Sequence, residues 1–323
     1  MKEIILYLDP VSISNREFIK GLTPDRFDIM FARSDGGIDS DINFMEAHYL
    51  IVASAPLKRD YLEGFRNLKL IQKTGAGTEN IDKEAAAALG IPVAITPGVN
   101  SPAVAELVIL YILAMYRNLI ELDRETKNGN WLMWEKRHQS FEFKGKEVGL
   151  IGFGRIGREL NRRLQSFDVK VSYFDLRRLE KQEEERLGIQ YKTMEDILRG
   201  SDIISLHLPL DKSTSNLIGK EQLDMVKPNC LLINTSRGAI VDEEALTQAL
   251  VSGKLAGAAL DTFATEPIKA DNPLLKLSNV ITTPHIGAGT IDTWRSVLNC
   301  AFENIERVSR GYAPLYVVNG VNG

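Results

Sequence analysis

The 323-residue chain has two cysteines, four histidines, three tryptophans and no excess of positive charge. Each scarcity excludes something. Cys230 falls in an apolar strand pattern and Cys300 in a helical one, and neither has a cysteine neighbour at metal-ligand spacing. Neither a disulfide framework nor a zinc site is expected, and no metal site is assigned. A net charge of −4 and a pI near 5.7 offer no basic face to nucleic acid or to anionic lipid. No apolar run approaches the length of a membrane span, and MKEIILYLDP opens as a strand rather than a signal peptide. What remains, at 44% hydrophobic and 25% charged residues, is a reduced, cytoplasmic chain long enough for two ordinary domains.

Short apolar runs alternate with helical patterns from end to end. In the first third, IILYLD (4–9), FDIMFA (27–32), YLIVAS (49–54), LKLIQKT (68–74) and PVAITP (92–97) read as strands, with amphipathic segments such as DKEAAAALG (82–90) between them. Near-continuous apolar strands joined by helical crossovers predict parallel sheets covered on both faces. One long buried helix is predicted over SPAVAELVILYILAMYRNLIELDRETKNG, with Ser101 as its cap and Pro102 in its first turn. The following NWLMWEKRHQSFEFKGK fits neither period. A second series then runs through EVGLIGF (147–153), KVSYFD (170–175), IQYK (189–192), IISLHL (203–208), CLLINT (230–235), AGAALD (256–261) and VITTPH (280–285). LRRLEKQEEERL (176–187) reads as a solvated helix and IDTWRSVLNCAFENIERVSRG as a final one. The reading is α/β, with two open parallel-sheet domains.

GLIGFGRIGREL places Gly152, Gly154 and Gly157 in G-x-G-x-x-G spacing, after an apolar strand and at the start of a helix. The first glycine allows the tight turn, the second lets the backbone approach a pyrophosphate, and the third permits close helix–strand packing. The helix N-terminus then offers free N–H groups and its dipole to the phosphates. Asp175 ends the next strand, 21 residues beyond Gly154, where a carboxylate accepts ribose hydroxyls and repels a 2′-phosphate. NAD is therefore the expected cofactor, with Arg177 and Arg178 keeping NADP as the alternative.

ITTPHIGAGT (281–290) holds one of the four histidines, His285, at a strand end. Read alone, a histidine after a proline is a turn residue, Arg237 beside Gly238 could cap a turn, and Glu266 before Pro267 could be a solvated loop acid. Taken in chain order, KTGAGTENID, TPGVNSPAVAEL, GFGRIG, INTSRGAIVDEEAL, LDTFATEP and TTPHIGAGT make a different case. Together they resemble the D-isomer-specific 2-hydroxyacid dehydrogenase family over nearly the whole chain. The resemblance implies a Rossmann NAD-binding domain (100–290) inserted in a flavodoxin-like substrate domain (1–99 and 291–323). It implies hydride transfer between NAD(H) and a D-2-hydroxy acid/2-keto acid pair.

Carried over by position, Arg237 would hold the substrate's carboxylate and polarise its carbonyl. Glu266 would pair with His285, and His285 would exchange a proton with the substrate oxygen. Asp261 would meet the nicotinamide carboxamide, while Gly152, Gly154, Arg155, Ile156, Gly157 and Asp175 would bind the rest of the dinucleotide. Gly75, Ala76 and Gly77 would offer N–H groups to the substrate carboxylate, with Lys73 and Asn100 nearby and Lys73 favouring an anionic substrate. The chemistry is coherent: a guanidinium stabilises the charge that develops on a reduced carbonyl oxygen, and an imidazole supplies the proton. The family's dimers imply a homodimer using Trp131, Met133 and Trp134, large side chains in an aperiodic segment.

Some features depart from the pattern or stay open. Glu79 replaces a common aspartate and keeps the charge. The short tail leads us to expect none of the extra regulatory domain found in some phosphoglycerate dehydrogenases. Formate dehydrogenases place glutamine where Glu266 stands, whereas phosphite dehydrogenases keep the same triad. The rival from another class is an NADH-sensing corepressor-like binding protein. His207 is read as structural or cofactor-adjacent, and His48 and His138 as surface or interface residues.

Overall fold

The computed structural model describes residues 2–33 and 43–321. Met1, residues 34–42 and the last two residues, all within the expected substrate-domain spans, lie outside the described residues. The chain divides into two compact units, Met1–Asn100 with Thr290–Gly323, and Ser101–Gly289.

The first unit contains β1 (Glu3–Tyr7), α1 (Ile13–Leu22), β2 (Phe27–Phe31), β3 (Tyr49–Val52), α2 (Arg59–Leu62), β4 (Leu70–Lys73), α3 (Lys83–Ala88) and β5 (Val93–Ala94). The chain later returns to it with α11 (Ile291–Ser309). Its five strands are parallel, in the flavodoxin-like order β2-β1-β3-β4-β5. Alternation along each strand feeds two cores. Leu6, Leu50 and Ile71 pack with Ala85 and Ala86 of α3, while Ile5, Ile51 and Leu70 pack with Leu298, Phe302 and Ile305 of α11. Burial of both faces is why YLIV and LIQK read as continuous runs rather than alternating ones.

The second unit begins with α4 (Ser101–Tyr116) and α5 (Leu119–Lys127). It continues through β6 (Glu147–Ile151), α6 (Arg155–Leu164), β7 (Lys170–Phe174), α7 (Lys181–Leu187), β8 (Ile189–Tyr191), α8 (Met194–Gly200) and β9 (Ile203–Leu206). Then follow α9 (Lys220–Met225), β10 (Leu231–Asn234), α10 (Glu243–Val251), β11 (Gly257–Leu260) and β12 (Val280–Thr282). The seven strands are parallel, in the order β12-β11-β10-β9-β6-β7-β8. The chain winds from β6 towards one edge and from β9 towards the other. The winding reverses between β6 and β9, and in such sheets the carboxyl ends of the strands beside that reversal bind ligands. The predicted α/β class, with two parallel-sheet domains and a Rossmann-type unit, is the observed one.

Several local expectations are corrected. The long helix after Asn100 is two helices, α4 and α5, bent by 61°. Asn118 stands between them in the left-handed region, φ 50°. The physical reason is burial: α4 is apolar nearly all round and joins the core of Val148, Leu150 and Ile233, whereas α5 has no buried residue. Ser101 does not cap α4; it is the helix's first residue, and its buried hydroxyl has no hydrogen-bond partner among the described residues. The helix expected from 176 begins only at Lys181, because residues 175–180 form the turn that leaves β7. His48, read as a surface or interface residue, is half-buried, and its Nδ1 accepts the Ile4 N–H at 3.2 Å. Among the described residues no single helix is long and apolar enough to cross a membrane.

Candidate active site

In the second unit, every segment singled out for cofactor or catalysis follows the carboxyl end of a strand. The glycine turn follows β6, Asp175 follows β7, Arg237 follows β10, Asp261 follows β11, and His285 follows β12. Because all seven strands are parallel, these ends lie along one edge of the sheet.

The glycine turn is shaped by close backbone approach. Gly152 has φ +95°, and a Cβ there would stand 2.4 Å from the carbonyl oxygen of His207, across the β6/β9 reversal. Only glycine meets both demands. A Cβ on Gly157 would come 2.8 Å from the Gly152 oxygen, so α6 sits directly on the turn. Gly154 differs: a Cβ there would meet nothing within 4 Å. It is the N-cap of α6 with no capping side chain, and Arg155 beside it is exposed while Ile156 is half-buried. The first N–H groups of α6 have no intrahelical acceptor, and the N-cap beside them is open on its Cβ side. The Asp175 carboxylate adjoins this turn, its Oδ2 accepting the Phe153 N–H at 2.8 Å and its Oδ1 the Arg177 N–H at 3.1 Å. An open helix N-terminus beside a carboxylate that caps the next strand fits a dinucleotide's pyrophosphate and ribose.

His285 and Glu266 form a pair, with Nδ1 and Oε2 2.8 Å apart. An ionised carboxylate only accepts, so the facing nitrogen carries the proton and Nε2 is left for other partners. Glu266 is itself held by its Oε1, which accepts the Phe263 N–H at 3.0 Å. His285 has φ 54°, a left-handed conformation that costs a non-glycine residue on the order of 1 kcal/mol or more. Asp261 over-determines that conformation. Its carbonyl oxygen accepts the His285 N–H at 2.9 Å. Its carboxylate accepts Ile286 N–H at 2.8 Å, Gly287 N–H at 2.7 Å and the Thr283 hydroxyl. The Thr283 hydroxyl also bonds that of Tyr111 on α4, and burial pushes the Tyr111 phenol up from its ordinary value.

Arg237 is half-buried, with Nη1 donating to the Ser236 carbonyl at 2.8 Å. Its own carbonyl accepts from Asn234 Nδ2 at 2.9 Å. Next to it, Gly238 lies so close to the chain at 263–264 that a Cβ would stand 1.9 Å from the Phe263 carbonyl carbon. The arginine's loop and the glutamate's loop are therefore in backbone contact. Sequence reasoning missed Thr283, Tyr111 and the bracing function of Asp261. The TTPH motif contained Thr283, but no sequence pattern ties it to a helix 172 residues away.

The remaining candidates belong to the first unit. Lys73 ends β4 with 9% exposure, its Nζ donating to the Ala53 carbonyl, so it does not point to solvent. Gly75 and Gly77 are half-buried and Ala76 exposed in the turn after β4, and the Gly75 carbonyl accepts the Thr96 N–H. Asn100 is half-buried in the turn at that unit's end. Asp9, unremarked in the sequence, braces the neighbouring turn by accepting the N–H groups of Ala53, Ser54 and Ala55. His207 in the second unit is half-buried, its Nε2 2.9 Å from Ser205 Oγ, and desolvation pushes it down to about 4. His138 is exposed.

A family model described as "D-isomer specific 2-hydroxyacid dehydrogenase, NAD binding domain" matches residues 109–287. The chain belongs to the D-isomer-specific 2-hydroxyacid dehydrogenase family. It is 40% identical to a glyoxylate reductase of Thermococcus litoralis, over 81% of this chain and 80% of that protein. It is 38% identical to a hydroxypyruvate reductase of Thermotoga maritima, over 81% and 84% respectively. Among solved structures, it is similar to the NADPH-dependent glyoxylate/hydroxypyruvate reductase of Sinorhizobium meliloti, determined with NADP and malonate. That likeness has a TM-score of 0.82 and 28% identity, over 99% of this chain and 98% of the other. The protein is thus an oxidoreductase, exchanging a hydride between a nicotinamide dinucleotide and a 2-hydroxy acid/2-keto acid pair. The corepressor alternative gains no support from these relatives.

Proposed function

We propose that the protein reduces a small 2-keto acid of the glyoxylate or hydroxypyruvate kind with NADH, and that Arg237, Glu266 and His285 carry the reaction. Bound NADH supplies the hydride. Arg237 is suited to grip the substrate's carboxylate and to stabilise negative charge growing on the carbonyl oxygen. His285 delivers a proton to that oxygen from Nε2, and in the reverse direction takes it back. Glu266 orients the ring and keeps Nδ1 occupied, which leaves Nε2 as the transferring nitrogen. The observation that carries this reading is the 2.8 Å Glu266–His285 pair, on a loop in backbone contact with the loop of Arg237.

On the cofactor, the reading is NAD(H) rather than NADP(H), since Asp175 presents acceptors to ribose hydroxyls and negative charge towards a 2′-phosphate. Asp261 has about four acceptor positions, three of them taken by Thr283, Ile286 and Gly287 of the His285 segment, and retains one for the nicotinamide carboxamide. In the first unit Gly75, Ala76 and Gly77 are assigned to the substrate's carboxylate, and Lys73 and Asn100 to its distal end. A homodimer is proposed because Trp131, Met133 and Trp134, within four residues of one another, are 76%, 55% and 62% exposed, apolar surface that a second copy would cover.

The test is NADH oxidation across glyoxylate, hydroxypyruvate, the keto acid of 3-phosphoglycerate and bulkier 2-keto acids, repeated with NADPH. Turnover fastest with the small acids and NADH is expected. Binding of NADH without turnover of any acid refutes the catalytic assignment, and a preference for NADPH refutes the role of Asp175. Sedimentation at micromolar concentration checks the dimer, and a monomeric mass overturns it.

A further inference from the structure

Two arginines follow Asp175, and either could supply the cation that a 2′-phosphate requires. Their surroundings differ. Both side chains are exposed, and among the described residues only the backbone N–H of Arg177 is engaged, by Asp175. Arg178 is captured: its Nε and Nη2 donate to the two oxygens of Glu184 at 3.0 and 3.2 Å, a bidentate pair. Its guanidinium also lies over the Tyr191 ring, 5.0 Å from the centroid. Glu184 is in turn fixed. Its side chain is 8% exposed, and Oε1 also accepts the hydroxyl of fully buried Tyr173 at 2.9 Å. The Tyr173 hydroxyl accepts the Leu179 N–H at 2.8 Å, which ties the turn carrying Arg178 to the same cluster. The preceding residue of α7, Glu183, holds Arg158 at 2.6 Å, so consecutive carboxylates on one short helix occupy two arginines around the glycine turn. The pairing with Arg178 also holds the Glu184 carboxyl below the usual carboxylate range.

We propose that Glu184 is a cofactor-specificity residue: with Tyr173 and Tyr191 it withholds Arg178 from a 2′-phosphate, so that NAD(H) is favoured by capture of a cation as well as by the Asp175 carboxylate. Arginine is the side chain best matched to phosphate, so holding Arg178 on Glu184 leaves one fewer cation for a 2′-phosphate beside the ribose position. The inference rests on the dinucleotide-binding reading of the glycine turn. It concerns binding, so it is read without turnover.

The experiment is titration calorimetry of NADH and NADPH into four proteins: wild type, Glu184→Gln, Arg178→Ala and the double variant. Releasing one charge-assisted contact should tighten NADPH by about five- to tenfold in Glu184→Gln, with NADH changed less than about twofold on the same principle. Arg178→Ala should leave NADPH affinity as it is in the wild type and erase the gain in the double variant. If Glu184→Gln fails to fold, Glu184→Met, which fills the same buried volume without charge, carries the same comparison. No tightening of NADPH in a variant that still binds NADH overturns the proposal. So does a gain that survives Arg178→Ala, which would assign the cation to Arg177. A wild type that binds neither nucleotide removes the dinucleotide reading itself, and the proposal with it.

Discussion

Gly238→Ala tests how the candidate site is registered. A methyl group at this position would stand 1.9 Å from the Phe263 carbonyl carbon and 2.3 Å from the Ala264 nitrogen. Carbon atoms rest at about 3.5 Å, so the two backbones must part by roughly 1.5 Å. Neither can move alone. The 238 side is pinned by Asn234, which donates to the Arg237 carbonyl, and the 263 side by the Ala264 N–H on Glu243 and the Phe263 N–H on Glu266. The displacement therefore shifts Glu266, and His285 with it, relative to Arg237. A misplacement on the order of 1 Å costs about a hundredfold in rate, and overpacking costs about 1–3 kcal/mol of stability. The expected result is kcat/KM for the best keto acid down about a hundredfold, a lowered Tm, and NADH affinity within about twofold of wild type. Gly21→Ala is the control: it lies within α1, and a Cβ there would meet nothing within 4 Å, so activity should not change. A folded Gly238→Ala enzyme that binds NADH and keeps kcat/KM within about threefold refutes the reasoning, because geometry this tight could then be relieved without moving the site.

Three further outcomes follow from the geometry. His285→Ala should lower kcat by roughly a hundred- to ten-thousand-fold while NADH still binds; a loss below about tenfold, with chemistry limiting the rate, would leave His285 as a turn residue. Asp261→Asn keeps one acceptor oxygen but turns an amide group on a buried N–H donor, so thermal unfolding should show a loss of about 1–3 kcal/mol together with a lower kcat. An unchanged Tm would remove Asp261 as the brace of the His285 loop. His207 stays neutral in the fold down to about pH 4, whereas the unfolded chain takes up that proton near 6.5. In that window the unfolded state binds more protons, so this contribution to stability is complete at pH 7 and declines as pH falls, by up to about 2 kcal/mol at pH 5. Urea midpoints at pH 7.5 and pH 5 should differ more for wild type than for His207→Gln; equal differences would show that His207 is not the group responsible.

The sequence by itself determined the fold class. Runs such as YLIV and LLIN are buried on both faces, which only parallel strands covered by helices allow, and that character is written in the residues. It also located the glycine turn, because only a residue without Cβ fits against the His207 carbonyl at positive φ. Chemistry-bearing segments were legible too, since each occupies a strand end and strand ends are countable. The break between α4 and α5 was not legible: apolar content extends across it, and the kink depends on which neighbours bury α4. Nor was the partner of Lys73, whose Nζ donates to the carbonyl of Ala53 at the neighbouring strand's end. Tertiary structure alone decided the partners: Asp261 with its loop N–H groups, Tyr111 with Thr283, Glu184 with Arg178, Gly238 with residues 263–264. A residue's local preference depends on itself and its near neighbours along the chain. A hydrogen bond or an excluded methyl depends on where strand register and helix packing deliver a second segment, and that position is a property of the whole folded unit.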